Sequence, residues 1–121
     1  MNLCRRTLVV ALTALCATTW AGVSPSEQAR IDRLIAFVET RKGATFVRNG
    51  NDYSCEDAAK FMRGKMKMMG GDVSTAQQFI DQIASKSSTT GQPYLVRFAD
   101  GKTQTVAKFL GDELMRMDGK Y

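Results

Sequence analysis

At 121 residues the chain has room for one domain and not two, and a domain near this size buries about two-thirds of its unfolded surface, enough to fold alone. It contains no histidine, which excludes Ser-His-Asp and Cys-His catalysis and zinc sites built on imidazole. The formal net charge of +5 comes from 17 basic and 12 acidic residues mixed along the chain. No lysine- and arginine-rich face stands out, and that excludes a nucleic-acid footprint.

The N-terminus reads as a leader. Arg5 and Arg6 precede an apolar run from Thr7 to Ala17 that is too short to span a bilayer, and Thr19-Trp20-Ala21 places small residues where a signal peptidase reads. The expectation is a signal peptide over 1–21 and a single small globular domain over 22–121, delivered to the periplasm with no stable membrane anchor after cleavage. Leu15 before Cys16 argues against a lipoprotein, while Arg5-Arg6-Thr7-Leu8-Val9 loosely fits a twin-arginine signal, so general secretory and twin-arginine export both stay open. Cleavage would leave Cys55 as the one cysteine, without an internal disulfide.

In the remaining chain, Ser24-Pro25-Ser26-Glu27 predicts a helix start, with Ser24 as cap, Pro25 in the first position and Glu27 closing a capping box. Ile31, Leu34, Ile35 and Val38 form its apolar face, and Arg41-Lys42-Gly43 its end. Thr45 to Val47 is β-prone, and Asn49-Gly50 suits a tight hairpin turn. Ser54 with Asp57 caps a second helix whose stripe is Cys55, Ala58, Ala59, Met62, Met66 and Met69, stopped by Gly70-Gly71. Ser74 with Gln77 opens a third helix with Ala76, Phe79, Ile80 and Ile83 inward. Ser85 to Gln92 is a polar loop, Tyr94 to Phe98 a strand, Asp100-Gly101 a second hairpin turn and Lys102 to Thr105 the return strand. A last helix buries Val106, Phe109, Leu110, Leu114 and Met117. The predicted fold class is α+β, mainly helical: about four helices packed with a small antiparallel β-hairpin sheet.

Two motifs, Phe46-Val47-Arg48-Asn49-Gly50 with Tyr53, and Ser85-Lys86-Ser87-Ser88 with Gly91-Gln92-Pro93-Tyr94, carry a resemblance. Over nearly all of the domain, to about Leu114, the chain resembles the YfeK-like family of small bacterial periplasmic proteins, a domain of unknown function. The resemblance implies compartment and fold, and no activity or ligand. Phe109-Leu110 stands where the family pattern has a Trp-Leu pair.

Several constellations bear on chemistry. No Ser-x-x-Lys spacing occurs. Cys55 falls on an apolar stripe, so it reads as core before it reads as a reactive thiol. Met62, Met66 and Met69 share a helical face that suits Cu(I), and the same face is the one the core needs. Glu56 and Asp57, paired with Glu39 or Glu113, supply carboxylates without fixing a separation. The better candidate is polar: Arg48, Asn49 and Tyr53 around one turn, and Ser87, Ser88, Tyr94 and Arg97 around the serine-rich loop and its strand. Guanidinium, amide, hydroxyl and phenol groups together are what holds a sugar or an anion. The bland alternative is that these side chains only satisfy their own loops.

The expected function is a non-catalytic binding or interaction module for a cell-envelope glycan, peptide or protein, with no cofactor, no metal and no nucleic acid. The alternatives are a small envelope enzyme using carboxylates or Cys55, and a Cu(I)-binding protein with a methionine face. Topology adds one geometric expectation. Helices two and three are antiparallel neighbours across the short Gly70–Val73 link, so Arg48 and Tyr94 should share a surface near the serine-rich loop.

Overall fold

A computed structural model of the protein describes residues 22–119. The leader expected over 1–21 lies outside the described residues. The first helix, α1 (Pro25–Glu39), begins as its sequence demands: Ser24 has extended backbone and its hydroxyl accepts the Glu27 N–H at 3.3 Å. Ile31, Leu34, Ile35 and Val38 are all buried. The carboxylate of Glu27 does not close the expected box. It accepts the Ala76 N–H at 2.8 Å and the Arg30 guanidinium at 2.8 Å, and so caps another helix. α1 stops at Glu39, with Gly43 turning the loop beyond it at a φ of 86°.

Strand β1 (Thr45–Arg48) then pairs with β2 (Asn51–Tyr53) through a two-residue turn. Asn49 and Gly50 both sit in the left-handed region, at φ 53° and 80°, which is the conformation such a hairpin needs. The second hairpin, β3 (Leu95–Arg97) and β4 (Thr103–Thr105), joins the first edge to edge, giving an antiparallel sheet in the order β2-β1-β3-β4. Phe46 lies opposite Tyr53 on one side and Val96 on the other. Alternation therefore puts Phe46, Arg48, Tyr53, Tyr94 and Val96 on one face, and Thr45, Val47, Asp52, Leu95 and Arg97 on the other. The first face is covered by helices.

Helix α2 (Cys55–Met69) is capped by Ser54, which accepts the Asp57 N–H at 3.1 Å. Its buried stripe runs Cys55, Ala58, Ala59, Met62, Lys65, Met66. The expected last member, Met69, is 52 % exposed, and a lysine takes a place inside instead. Gly70 ends the helix in a buried position, where an added Cβ would collide with the Met66 carbonyl oxygen. The third helix starts one residue later than its sequence suggests. Thr75 is the cap, accepting the Gln78 N–H at 3.1 Å, and Ser74 instead donates through N–H and hydroxyl to the Gln78 side chain. Both Ser74 and Thr75 have the chemistry of a cap, and the Glu27 carboxylate on Ala76 selects Thr75. α3 (Ala76–Phe79) passes directly into a π-helical turn, Ile80–Ala84. Ala76, Phe79, Ile80 and Ile83 are buried as the periodicity predicts.

The final helix, α4 (Val106–Met117), capped by Thr105, brings Val106, Phe109, Leu110 and Leu114 into the core, with Met117 half-buried. Phe109 links the layers: its ring centroid lies 5.0 Å from Phe37 of α1, 6.1 Å from Phe46 of the sheet and 5.7 Å from Phe98. A salt bridge from Arg30 to Asp118 ties the start of α1 to the end of α4. The observed architecture is the α+β, mainly helical domain with a small antiparallel sheet.

Candidate functional site

The two polar loops meet. Asn49, at the tip of the first hairpin, donates through its side-chain amide to the Ser87 hydroxyl at 3.3 Å, and accepts from the Thr90 hydroxyl at 2.6 Å. Ser87 is buried, and its oxygen also takes the backbone N–H groups of Thr89 and Thr90. The serine-rich segment is thereby cinched into a tight loop. It folds back along the second half of α2, further along that helix than its start, where topology had pointed.

Between loop and helix lies an open groove of about 350 Å³. Arg48, Lys65, Tyr94, Ser88 and Thr89 supply its polar lining, and Phe61, Met68 and Met69 its apolar wall. Arg48 is held by two aromatic rings. Its guanidinium lies 4.5 Å from the Phe61 ring centroid and 5.4 Å from that of Tyr53, and it donates to the Tyr53 hydroxyl at 3.2 Å. Stacking on aromatic faces fixes the plane of the fork without using most of its N–H groups. Beneath it, Phe46, Tyr53, Ala58 and Met62 enclose a small apolar pocket of about 30 Å³.

Lys65 is the unforeseen member. Only 7 % of it is exposed, and its ammonium donates to the Lys86 carbonyl at 2.9 Å and to the Tyr94 hydroxyl at 3.0 Å. Burial lowers its pKa, and the nearby Arg48 charge lowers it further. Burial pushes the Tyr94 phenol up, with Arg48 acting in the opposite direction. Tyr94 is oriented by Phe61, whose ring meets it edge-on at 5.9 Å. Among the described residues, no carboxylate is bonded to Arg48 or to Lys65. The groove is a locally cationic surface with an apolar wall.

Of the seven residues expected to form the site, Arg48, Ser87, Ser88 and Tyr94 line the groove, while Asn49 and Tyr53 sit just behind it as supports. Arg97 does not join them. It lies on the opposite face of the sheet, in an ion pair with Asp52 at 2.8 Å, because its position in β3 has the other parity from Tyr94. Phe61 and Lys65 were missed. The legible clue to Lys65 was its place three residues after Met62 on an apolar stripe, where a lysine needs a partner. Phe61 stands one position off that stripe, and nothing in the pattern marks it.

The remaining chemistries are dispersed. Cys55 is buried, donates to Glu56 at 3.2 Å, and burial and then that contact push its thiol pKa up, so it stays protonated at neutral pH. Met62 and Met66 are packed in the core at 4 % and 2 % exposure, while Met69 faces solvent, so the three thioethers do not share one open face. Glu39, Glu56 and Glu113 pair separately with Arg63, Lys42 and Arg116. Among the described residues no cluster of three or more His, Cys, Asp or Glu could hold a metal, and no helix is long and apolar enough to cross a membrane.

Comparison with known proteins agrees with the resemblance carried by the two motifs. The chain is 43% identical over 89 residues to the uncharacterized protein YfeK of Salmonella typhimurium, an alignment covering 72% of this chain and 74% of that protein. No solved structure matches it. The model of a family of unknown function, DUF5329, matches residues 25–118, all of the described domain but its extreme ends. This protein is a member of that family, of the same YfeK-like kind as its Salmonella relative.

Proposed function

We propose that this protein is a non-catalytic binding module of the bacterial envelope, and that its ligand seats in the groove between α2 and the serine-rich loop. One observation carries the reading: Arg48 and Lys65 face a common groove with no bonded carboxylate among the described residues, although acidic residues elsewhere on the surface find cations. Keeping two cations close together at a partly buried surface is unfavourable in the absence of an anion. A fold that holds them there with aromatic contacts and a cinched loop keeps positive charge at the groove with no carboxylate of its own, among the described residues, to compensate it. The envelope location is supported by the leader-like pattern of Arg5, Arg6 and the apolar run to Ala17.

The test is a pull-down from envelope extract, using protein purified from cells expressing the full chain, alongside the Arg48→Ala and Arg97→Ala variants. A component retained by the wild type and by Arg97→Ala, and lost with Arg48→Ala while that variant keeps its circular dichroism spectrum, supports the groove. Equal loss with both variants, or with neither, refutes it.

A further inference from the structure

The donors around the groove are few and specific. Lys65 has three ammonium protons, and the Lys86 carbonyl and the Tyr94 hydroxyl take two of them, which leaves one. Arg48 gives one N–H to Tyr53 and lies close to two rings, which accept no ordinary hydrogen bond, so the other N–H groups of its fork remain. The loop that borders them offers little from its backbone. The N–H groups of Thr89 and Thr90 turn inward to the Ser87 oxygen, the Gly91 N–H to the Ser87 carbonyl, and the Gln92 N–H to the Thr90 hydroxyl.

Phosphate sites are ordinarily built from several converging backbone N–H groups at a nest or a helix N-terminus. Here the N–H groups of four consecutive loop residues, Thr89 to Gln92, are spent, so no set of them converges on the groove. Two cations offering a fork and a single ammonium N–H match a group with two oxygens and one negative charge. Beside them, Phe61 and the side chains of Met68 and Met69 provide an apolar wall, with Met68 85 % exposed at the rim. Methionine is adaptable enough to close over an irregular aliphatic or aromatic body. The groove's space of about 350 Å³ admits a body of one or two amino-acid residues.

From this geometry we infer that the groove recognises a carboxylate borne on a short apolar body, of the kind found at the free C-terminal end of a peptide or on an N-acylated amino acid. The carboxylate takes the Arg48 fork and the remaining Lys65 proton, and the apolar body lies on Phe61 and Met68. The inference rests on the groove being the binding site, and it names the chemistry that site selects.

The experiment is an amide chemical-shift titration of protein purified from cells expressing the full chain. The probes are N-acetyl-L-leucine, a tetrapeptide ending in a free leucine carboxylate, the C-terminal amides of both, and inorganic phosphate. Saturable shifts at Phe61, Gly64 and Ser87–Thr89 are expected from the free carboxylates at millimolar affinity or better, and not from the amides. Binding of both carboxylates identifies the shared group; binding of the tetrapeptide alone assigns the source as a peptide end. Arg48→Gln should weaken binding at least about tenfold, the scale of one charge-assisted hydrogen bond, and Arg48→Lys should weaken it less. If Arg48→Gln fails to fold, Arg48→Lys and the amide probes still decide. Amides that bind as well as acids, or phosphate that binds more tightly than the carboxylates, overturn the carboxylate and leave the groove standing. Shifts that cluster on another surface remove the groove itself, and no saturable shift from either carboxylate rejects the inference.

Discussion

Arg48 and Arg97 sit on the same sheet and meet opposite fates. Arg97, on the open face, finds the carboxylate of Asp52 two strands away, and both partners are well solvated. Arg48, on the covered face, finds two aromatic rings, a phenol and a second cation and, among the described residues, no carboxylate. The difference between them is parity in an antiparallel register. An exposed pair such as Arg97–Asp52 contributes little and is screened by salt, whereas a guanidinium stacked in a half-buried position is held firmly and stays available. The comparison teaches that register parity decides which arginine meets a carboxylate and which keeps an uncompensated charge.

The sharpest way to test the two faces is with neighbours on one strand. Phe46 is buried against Phe109 and Val47 is half-exposed beside it. Phe46→Ala should cost about 3–5 kcal/mol in urea denaturation, while Val47→Ala should cost about 1 kcal/mol or less. Similar losses at both positions would mean that the sheet has no open face. A second test removes the lysine that ties the covered side together. Lys65→Ala strips the Lys86 carbonyl and the Tyr94 hydroxyl of a donor and should cost about 1–3 kcal/mol, and it should loosen the serine-rich loop as seen by faster amide exchange at Ser87. An unchanged exchange rate would show that Asn49 and the loop's own bonds to Ser87 hold it without Lys65.

The arginines themselves come next in size. Arg48→Ala should destabilise by about 1–2 kcal/mol through lost stacking, insensitive to salt, and Arg97→Ala by about 0–1 kcal/mol, vanishing in molar salt. Reversal of that salt dependence would exchange their roles. The smallest effect belongs to a pair away from both faces. Glu56 is held at about 2 by the Lys42 ammonium first and the Cys55 thiol second, below its ordinary 4.5. A depressed carboxylate contributes stability above pH 4.5 and loses it as pH falls toward 2. Glu56→Gln should therefore flatten the acid limb of the stability profile slightly across that window, and leave stability between pH 6 and 8 nearly unchanged, because the pair is solvated.

Local signals explain most of what was legible. The caps at Ser24 and Ser54, the left-handed Asn49-Gly50 turn and the stripes of α1, α2 and α4 all depend on residues within one or two turns of each other, so the chain carries them on its surface. The nearness of Arg48 to the serine-rich loop was also readable, from a short link between antiparallel helices. What failed did so where distant residues intervene. Thr75 displaced Ser74 as a cap because Glu27, far away in sequence, reaches Ala76. Met69 fell off the stripe and Lys65 entered it because the loop carbonyl of Lys86 and the Tyr94 hydroxyl supply partners that make a buried ammonium tolerable.

For this protein, then, sequence alone determined the element order, the turn geometry and the apolar faces, since each is a competition among neighbouring dihedrals and side chains at helical or strand spacing. Only the tertiary structure decided which cations share a surface. Register parity sent Arg97 to one face and Arg48 to the other, and the folding-back of a loop, stitched by Asn49 and Ser87, brought Lys65 beside Arg48. Electrostatics depends on distances in space, and those distances exist only once the chain has closed on itself.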